Sequence, residues 1–449
     1  VDLHFDRAWL YEKEISFQVS CSYGPGRYES LYEDMGLDYP ISFVRWTEQR
    51  NISAILSAMS KGWISVKHIS KLSIDFERAA EAYDHLVKKD DGRATMAIEL
   101  QYKGTTESKG TVRTSANQIQ DYNDDQSKYI SVVGAGNYAT RRMLPALSSH
   151  GIKIKHIVSR GGLSSSIAAL KFNALYSSVD LDEVKSSPEV AGVCIATRHD
   201  SHADLAIAMV SVGKMVFVEK PLAINLRQLE QIRALSNEEK CRIFVGFNRE
   251  FSSYVNIIKD NFSNDRASKI ITLEMNAGKI PSNHWTQSIE VGGGRLIGEA
   301  IHYISLAQNI SGSKIKSLQI SSLKSDCKVP DSFCLSLGFV NGDLANILYY
   351  SNGSGRYKKE SIKCIGGGKV VEIDNFKRLV GYGPSFNIKK RSLRQLKGQD
   401  ECFKNFAKHV ELGELNSLDT VDKYLIATEA SILATQILQE QGSGSAQLF

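Results

Sequence analysis

The chain has 449 residues, 42% of them apolar and 23% charged, and a formal net charge of +5. That length exceeds what one hydrophobic core serves, so two or three domains are expected, and the composition is that of a folded globular protein. The basic excess is scattered with no run of five like charges, which argues against nucleic acid as a partner, and no apolar run approaches the roughly 18–20 residues that cross a bilayer. Seven cysteines without a C-x-x-C pair favour a reducing cytoplasm over a disulfide framework or a zinc site. The start, Val1-Asp2-Leu3-His4, has neither an initiating Met nor a signal-peptide pattern and reads as beginning partway through a domain.

Residues 1–104 mix a strand candidate (Ile15–Val19), a helix at Glu48–Lys61, a second near Phe76–Val87 and a strand near Thr95–Tyr102. The Gly24-Pro25-Gly26 turn and the irregular run to Pro40 suggest a piece of something larger, with no phosphate loop and no metal-ligand cluster. Residues 105–127 are polar and read as a linker.

From 128 to 250 the pattern alternates. Strand Tyr129–Val133 leads through a glycine turn into helix Tyr138–Ser149 and strand Ile152–Val158. Strand Val190–Ala196, helix Ser201–Val212, strand Met215–Val218, helix Asn225–Leu235 and strand Cys241–Gly246 follow. Alternation of this kind implies parallel pairing with right-handed crossovers, a doubly wound α/β sheet.

Residues 251–394 change character. Strand-like runs at Lys269–Asn276, Ile315–Ser321, Ser332–Val340, Leu344–Tyr350, Ser361–Ile365 and Val370–Ile373, with short turns such as Asn341-Gly342, predict an α+β domain. Its mostly antiparallel sheet would be open on one face to a ligand or a partner. Helices at Gln399–Leu412 and Thr420–Gln439, within 395–440, are expected to pack back on the first sheet. The tail 441–449, with Gly442-Ser443-Gly444-Ser445, reads as disordered.

Gly134-Ala135-Gly136-Asn137-Tyr138-Ala139 is a G-x-G-x-x-A turn between a strand and a helix. Gly134 would make the tight turn, Gly136 would let the backbone approach a pyrophosphate, and Ala139 would let the helix pack on the strand. The other reading is a packing turn. The end of the second strand selects between cofactors; here Ser159-Arg160 stands where an acidic residue would hold a ribose 2′-hydroxyl, which favours NADP over NAD. In Thr197-Arg198-His199-Asp200-Ser201-His202, two histidines three apart lack a carboxylate or cysteine pattern to complete a metal site, so no metal is expected. Thr197 and His202 are placed at the cofactor edge.

Glu219-Lys220-Pro221 follows a buried strand, which sets Lys220 at the carboxyl edge of the sheet. Its ammonium could hydrogen-bond a carbinol or carbonyl oxygen, or it could snorkel to solvent. Gly292-Gly293-Gly294 precedes a helix on which Glu299 and His302, at i and i+3, share a face. They form either a histidine base held by a carboxylate or a packed histidine.

With Gly134–Ala139, Glu219-Lys220-Pro221, Gly246-Phe247-Asn248-Arg249 and Gly292–His302 in view, residues 128–440 resemble the Gfo/Idh/MocA family of glucose–fructose oxidoreductases and inositol dehydrogenases. The resemblance implies a Rossmann domain followed by a domain whose open sheet supports a homo-oligomer. It implies hydride transfer between NAD(P) and a hydroxyl-bearing carbon of a sugar, cyclitol or nucleotide-sugar. Lys220 then corresponds to the lysine beside the nicotinamide, with Glu219 next to it, and His302 to the catalytic histidine; Asn248, Arg249 and Trp285 lie near the substrate. Many members carry an aspartate four residues before the histidine and another three after it, where this chain has Gly298 and Ser305. Glu299 is then the candidate to orient His302, and which of His302 and Lys220 is the base stays open.

Residues 1–104, at Tyr11–Glu14, Ser22–Tyr28 and Val44–Thr47, resemble the C-terminal end of a zinc-type medium-chain alcohol dehydrogenase. Such fusions resemble the two-domain oxidoreductases of bacterial surface-polysaccharide gene clusters; the front module is expected to be a remnant without its own catalysis. Two other readings stand beside a dehydrogenase: a glycosidase that oxidises its sugar transiently on tightly held NAD, and a non-catalytic NAD(P)-sensing regulator. A regulator has no use for Lys220 and His302.

Overall fold

In the computed structural model the chain divides into two compact units, Val1–Thr106 and Glu107–Phe449. The structure describes residues 7–14, 23–33, 37–67, 69, 71–81, 97–102, 111–114, 128–263, 267–281, 284–324, 330–384 and 386–448.

In the first unit, helix α1 (Glu48–Ser60) buries none of its residues and leaves Ile52, Ile55, Leu56 and Met59, spaced along one face, exposed. Strand β1 (Lys71–Asp75) pairs in parallel with β2 (Ala97–Gln101). The pattern had indicated only the second strand, because Lys-Leu-Ser-Ile-Asp shows just two apolar residues. The strand candidate Ile15–Val19 and the later part of the helix expected at Phe76–Val87 lie outside the described residues; the latter begins with a 3₁₀ turn at Phe76–Arg78.

The second unit holds a seven-stranded sheet. Its strands are β3 (Thr111–Arg113), β4 (Tyr129–Val133), β5 (Ile154–Val158), β6 (Tyr176–Ser178), β7 (Val190–Ile195), β8 (Met215–Val218) and β9 (Ile243–Val245). The order is β3-β6-β5-β4-β7-β8-β9, and only the β3–β6 pair is antiparallel. Both faces of the central strands are covered, which is why they read as continuous apolar runs such as Met-Val-Phe-Val. From β4 outward this is the doubly wound order, whose direction reverses between β4 and β7 and opens a crevice there. Residues 111–113, inside the expected linker, instead add an edge strand, with the Thr111 hydroxyl 2.7 Å from that of Ser178.

The nine-stranded second sheet contains β10 (Ile270–Asn276), β11 (Ile315–Ser322), β12 (Phe333–Phe339), β13 (Leu344–Tyr350), β14 (Glu360–Gly366), β15 (Lys369–Asp374), β16 (Arg378–Gly383), β17 (Phe386–Arg391) and β18 (Ser443–Gln447). Only β10 and β13 pair in parallel. Burial alternates along β10, β12 and β13, so one face builds a core while Ile270, Leu344 and Leu348 sit exposed on the other. The tail expected to be disordered pairs as β18 with β11, Ser317 opposite Gln447 and Ser321 opposite Ser443. An edge strand's unpaired backbone groups hold a partner whatever its side chains, so the polar Gly/Ser composition gave no warning.

Four further helices matter to the site: α2 (Leu144–Ser149), α3 (Ile301–Ser311), α4 (Gln399–Leu412) and α5 (Leu418–Gln441). As expected from their place in the chain, the last two return to the first sheet: Phe403 and Phe406 of α4 lie 5.0 and 5.5 Å from the ring of Phe217 in β8. Helix α5 goes further, contributing Val421, Leu425 and Ile432 to the core of the first sheet and Ile426, Ala430 and Ala434 to that of the second.

Candidate active site

The glycine turn closes on the sheet. Gly134 has φ +105°, and a Cβ there would lie 2.5 Å from the carbonyl oxygen of Ala196 at the end of β7. No side chain fits. Gly136 is the opposite case: a Cβ would meet nothing within 4 Å, so glycine at this exposed position serves no packing need of the protein. The carbonyl of Gly136 accepts the N–H of Thr140, so the helix begins here and the N–H groups of Asn137, Tyr138 and Ala139 have no acceptor within it. An open glycine beside a helix N-terminus fits the pyrophosphate of a dinucleotide. Ala139 is fully buried against the sheet. A π-turn, Ala139–Met143, leads into α2.

Tyr138 does not face this opening. Its hydroxyl hydrogen-bonds the carboxyl of Glu219, a residue 8% exposed whose pKa burial pushes up to about 7. Glu219 in turn packs against Gly246, where a Cβ would come within 3.0 Å of Oε1. At the end of β5, Ser159 bonds the hydroxyl of Ser164 at 2.8 Å and Arg160 is exposed.

Lys220 stands at the end of β8, followed by a cis bond to Pro221. Its Nζ donates to the carbonyl oxygen of Gly298 at 2.6 Å. Burial lowers its pKa, and the carboxylates of Glu219 and Glu299 act against that. His202 is turned into the protein: its Nδ1 lies 2.8 Å from the carbonyl of Pro221 and its Nε2 3.3 Å from that of Thr197. Burial keeps the ring below its usual pKa, so the neutral form donates through Nδ1 on the shorter contact. It clamps the two strand-end loops instead of lining the cofactor edge. The Thr197 hydroxyl is 2.7 Å from that of Ser201.

The residue of this loop that enters the site is His199. Its Nδ1 donates to Gly292 O at 2.7 Å, its ring meets Trp285 edge-on at 4.8 Å, and burial with nearby Lys220 pushes its pKa down to about 3. The guanidinium of Arg198 lies 5.9 Å over the same Trp285 ring. Nothing in T-R-H-D-S-H tells which histidine faces in; only the turn geometry does.

Gly292 has no room for a side chain, since a Cβ would fall 2.5 Å from Thr286 Cα. The chain then forms a π-turn, Leu296–Ala300, before α3. That wider turn breaks the 3.6-residue spacing on which the pairing of Glu299 with His302 was expected. Glu299 is taken by Arg295, 2.9 Å from Nε, and by the Tyr349 hydroxyl at 2.7 Å. His302 has no carboxylate partner: its Nδ1 is buried without a hydrogen bond, and burial together with Arg249, Lys220 and Lys397 holds it well below its ordinary pKa. Its ring is therefore neutral.

Asn248 bonds the carbonyl of Lys397 at 2.8 Å and so positions a loop. Arg249 pairs through Nε with Glu360 at 3.0 Å and lies 5.3 Å over the ring of Tyr303. Glu360 and Lys397 were missed by sequence reading, because neither sits in a local motif. Ser305, in a family aspartate position, donates to Glu250, which also accepts from Asn309 at 3.2 Å. The buried carboxyl therefore arrives from a different segment. Among the described residues no group of three or more His, Cys, Asp or Glu side chains could hold a metal, and no helix is long and apolar enough to cross a membrane.

Residues 128–247 match the family model GFO_IDH_MocA, an oxidoreductase family with an NAD-binding Rossmann fold. The chain is similar to a 4-carboxy-2-hydroxymuconate-6-semialdehyde dehydrogenase of a Sphingobium species, 32% identical over 27% of this chain and 39% of that protein. It is also similar to the myo-inositol 2-dehydrogenase of Thermotoga maritima, 28% identical over 30% of this chain and 41% of that one. The chain thus spans about 40% of the length of these relatives. A levoglucosan dehydrogenase in complex with NADH and levoglucosan superposes over 72% of this chain and 100% of its own with a TM-score of 0.61 at 18% identity, which shows the shared two-sheet fold. Residues 128–247 are therefore an NAD-binding Rossmann domain of the Gfo/Idh/MocA oxidoreductase family.

Proposed function

We propose that this protein is an NAD(P)-dependent dehydrogenase acting on a CH–OH group of a sugar, cyclitol or nucleotide-sugar. The observation that carries the reading is Lys220, at the carboxyl end of β8, anchored at 2.6 Å on the carbonyl of Gly298, four residues ahead of the buried, neutral His302. The relatives' names, inositol and levoglucosan dehydrogenases among them, support the substrate class.

The nicotinamide, when bound, supplies the hydride acceptor. Gly134, Gly136 and the N–H groups of Asn137 to Ala139 would hold its pyrophosphate, and Ser159 with Arg160 favours a 2′-phosphate and hence NADP. Lys220 donates a hydrogen bond to the substrate hydroxyl oxygen and stabilises the negative charge that grows there as the C–H bond breaks. His302 takes the hydroxyl proton, since a ring neutral throughout the physiological range has a lone pair to offer. His199 and Trp285 wall the site.

The open face of the second sheet, with Ile270, Leu344 and Leu348 exposed, favours a homo-oligomer. The parallel β1–β2 pair fits descent of residues 1–104 from an alcohol-dehydrogenase module. A role in polysaccharide metabolism rests on that resemblance alone. The test is a sugar and cyclitol panel followed by nicotinamide absorbance: wild type turns over a member, and Lys220→Met does not. Full turnover by Lys220→Met would sink the reading.

A further inference from the structure

One cluster at the site carries more charge than alcohol oxidation requires. Glu360 is 1% exposed and faces two cations, Arg249 at 3.0 and 3.3 Å and Lys397 at 2.5 Å. One carboxylate against two cations leaves a positive charge unanswered. Lys220 adds another close by: Arg249 lies 5.3 Å over the ring of Tyr303, next to His302 on α3, and Lys220 is held on Gly298 O in the turn just before that helix. The acids near Lys220 are already engaged: Glu219 by Tyr138, and Glu299 by Arg295 and Tyr349.

The position of Lys397 is built into the fold. Asn248 holds its carbonyl at 2.8 Å, and Ser252 holds the carbonyl of Leu396 at 2.5 Å. Gly398 follows with φ +74°, where a Cβ would lie 2.5 Å from Asn248 O. A loop pinned at three successive residues aims a lysine beside a buried arginine. Next to them, His302 Nδ1 is buried with no partner. Positive charge held this close together is relieved when an opposite charge arrives.

We infer that the site takes a sugar carrying an oxyanion substituent, a carboxylate or a phosphate, and that Lys397 with Arg249 selects it. The inference rests on the reading of Lys220 and His302 as substrate-facing. Lys397 keeps ammonium protons beyond the one given to Glu360, so it can donate to an anion without losing its own pair, while Arg249, held by Glu360 and Tyr303, adds its charge beside it.

The experiment is a calorimetric titration of the NADPH- or NADH-loaded protein with glucose, galactose and mannose and with their uronate and terminal-phosphate forms. One anionic form is expected to bind at least about tenfold more tightly than its neutral parent, the ratio of a charge-assisted hydrogen bond. Lys397→Met abolishes that ratio while NADPH binding persists, and Lys397→Arg restores it. Equal binding of neutral and anionic forms, binding of none of them, or an unchanged ratio in Lys397→Met would overturn the inference. Uronate or phosphate arms winning separately identify the anion. Tight anionic binding with no reduction of nicotinamide would defeat the dehydrogenase reading and leave this one standing; fast oxidation of neutral sugars would do the reverse.

Discussion

Lys220 and Gly298 join two parts of the protein that are far apart in sequence: the ammonium at the end of β8 hydrogen-bonds the carbonyl in the π-turn that precedes α3. The bond spends one donor and fixes the direction of the others. Lys220→Met is expected to lower kcat by about 100- to 1,000-fold with little change in cofactor affinity. Lys220→Arg should not rescue it, because a planar fork cannot occupy the same short contact. Steady-state rates and nucleotide titration check both.

The two glycines of the turn separate folding from binding. Gly134→Ala forces a Cβ onto the Ala196 carbonyl at a positive φ and should cost about 2–4 kcal/mol of stability. Gly136→Ala meets nothing in the protein, so its melting temperature should hold while NAD(P)H affinity falls about tenfold or more as the backbone loses its approach to the phosphates. Thermal melts beside fluorescence titrations distinguish the two; equal loss of stability would refute the assignment.

On the proposed reading, Ser159 sets the choice of cofactor. An aspartate there would repel a 2′-phosphate and accept from a ribose 2′-hydroxyl, so Ser159→Asp should move the NADP/NAD ratio of kcat/KM toward NAD by about tenfold or more. An unmoved ratio places the selection elsewhere.

Glu250 makes stability depend on pH. Burial raises its carboxyl from 4.5 to about 7, against the opposing hydrogen bonds of Ser305 and Asn309. The folded state holds the proton more tightly than the unfolded chain, so this contribution is full below pH 4.5 and is lost as pH rises through about 7. Glu250→Gln should therefore stabilise the protein by on the order of 1–2 kcal/mol at about pH 8 and by little at about pH 4. His156, buried against Ser131 and pushed down to about 4, works the other way, losing stability as pH falls from 6.5 toward 4. Melts across this range for the single variants separate the two slopes.

The parallel sheet was legible because strands covered on both faces leave apolar runs that little else imitates. The outer strands were not: β3 and β18 at the edges, and β6 beside β3, are short or polar and are held by backbone pairing, which leaves no mark in side-chain pattern. Lys220 was legible because it directly follows such a buried run. Glu360 was not, since its partners lie 111 and 37 residues away and no spacing links them. Glu299 was assigned to His302 on α-helical periodicity, and the π-turn at Leu296–Ala300 sends it to Arg295 and Tyr349 instead.

Helix α5 has a mechanical consequence. Because Val421, Leu425 and Ile432 are rooted under one sheet and Ile426, Ala430 and Ala434 under the other, a rotation that parted the sheets would have to tear the same rod out of one of them. The two layers are thus riveted rather than hinged. On the proposed function, entry and exit of ligands would then fall to the loops at the strand ends, and Lys220, held on Gly298 O, would keep its place whether or not a ligand is bound.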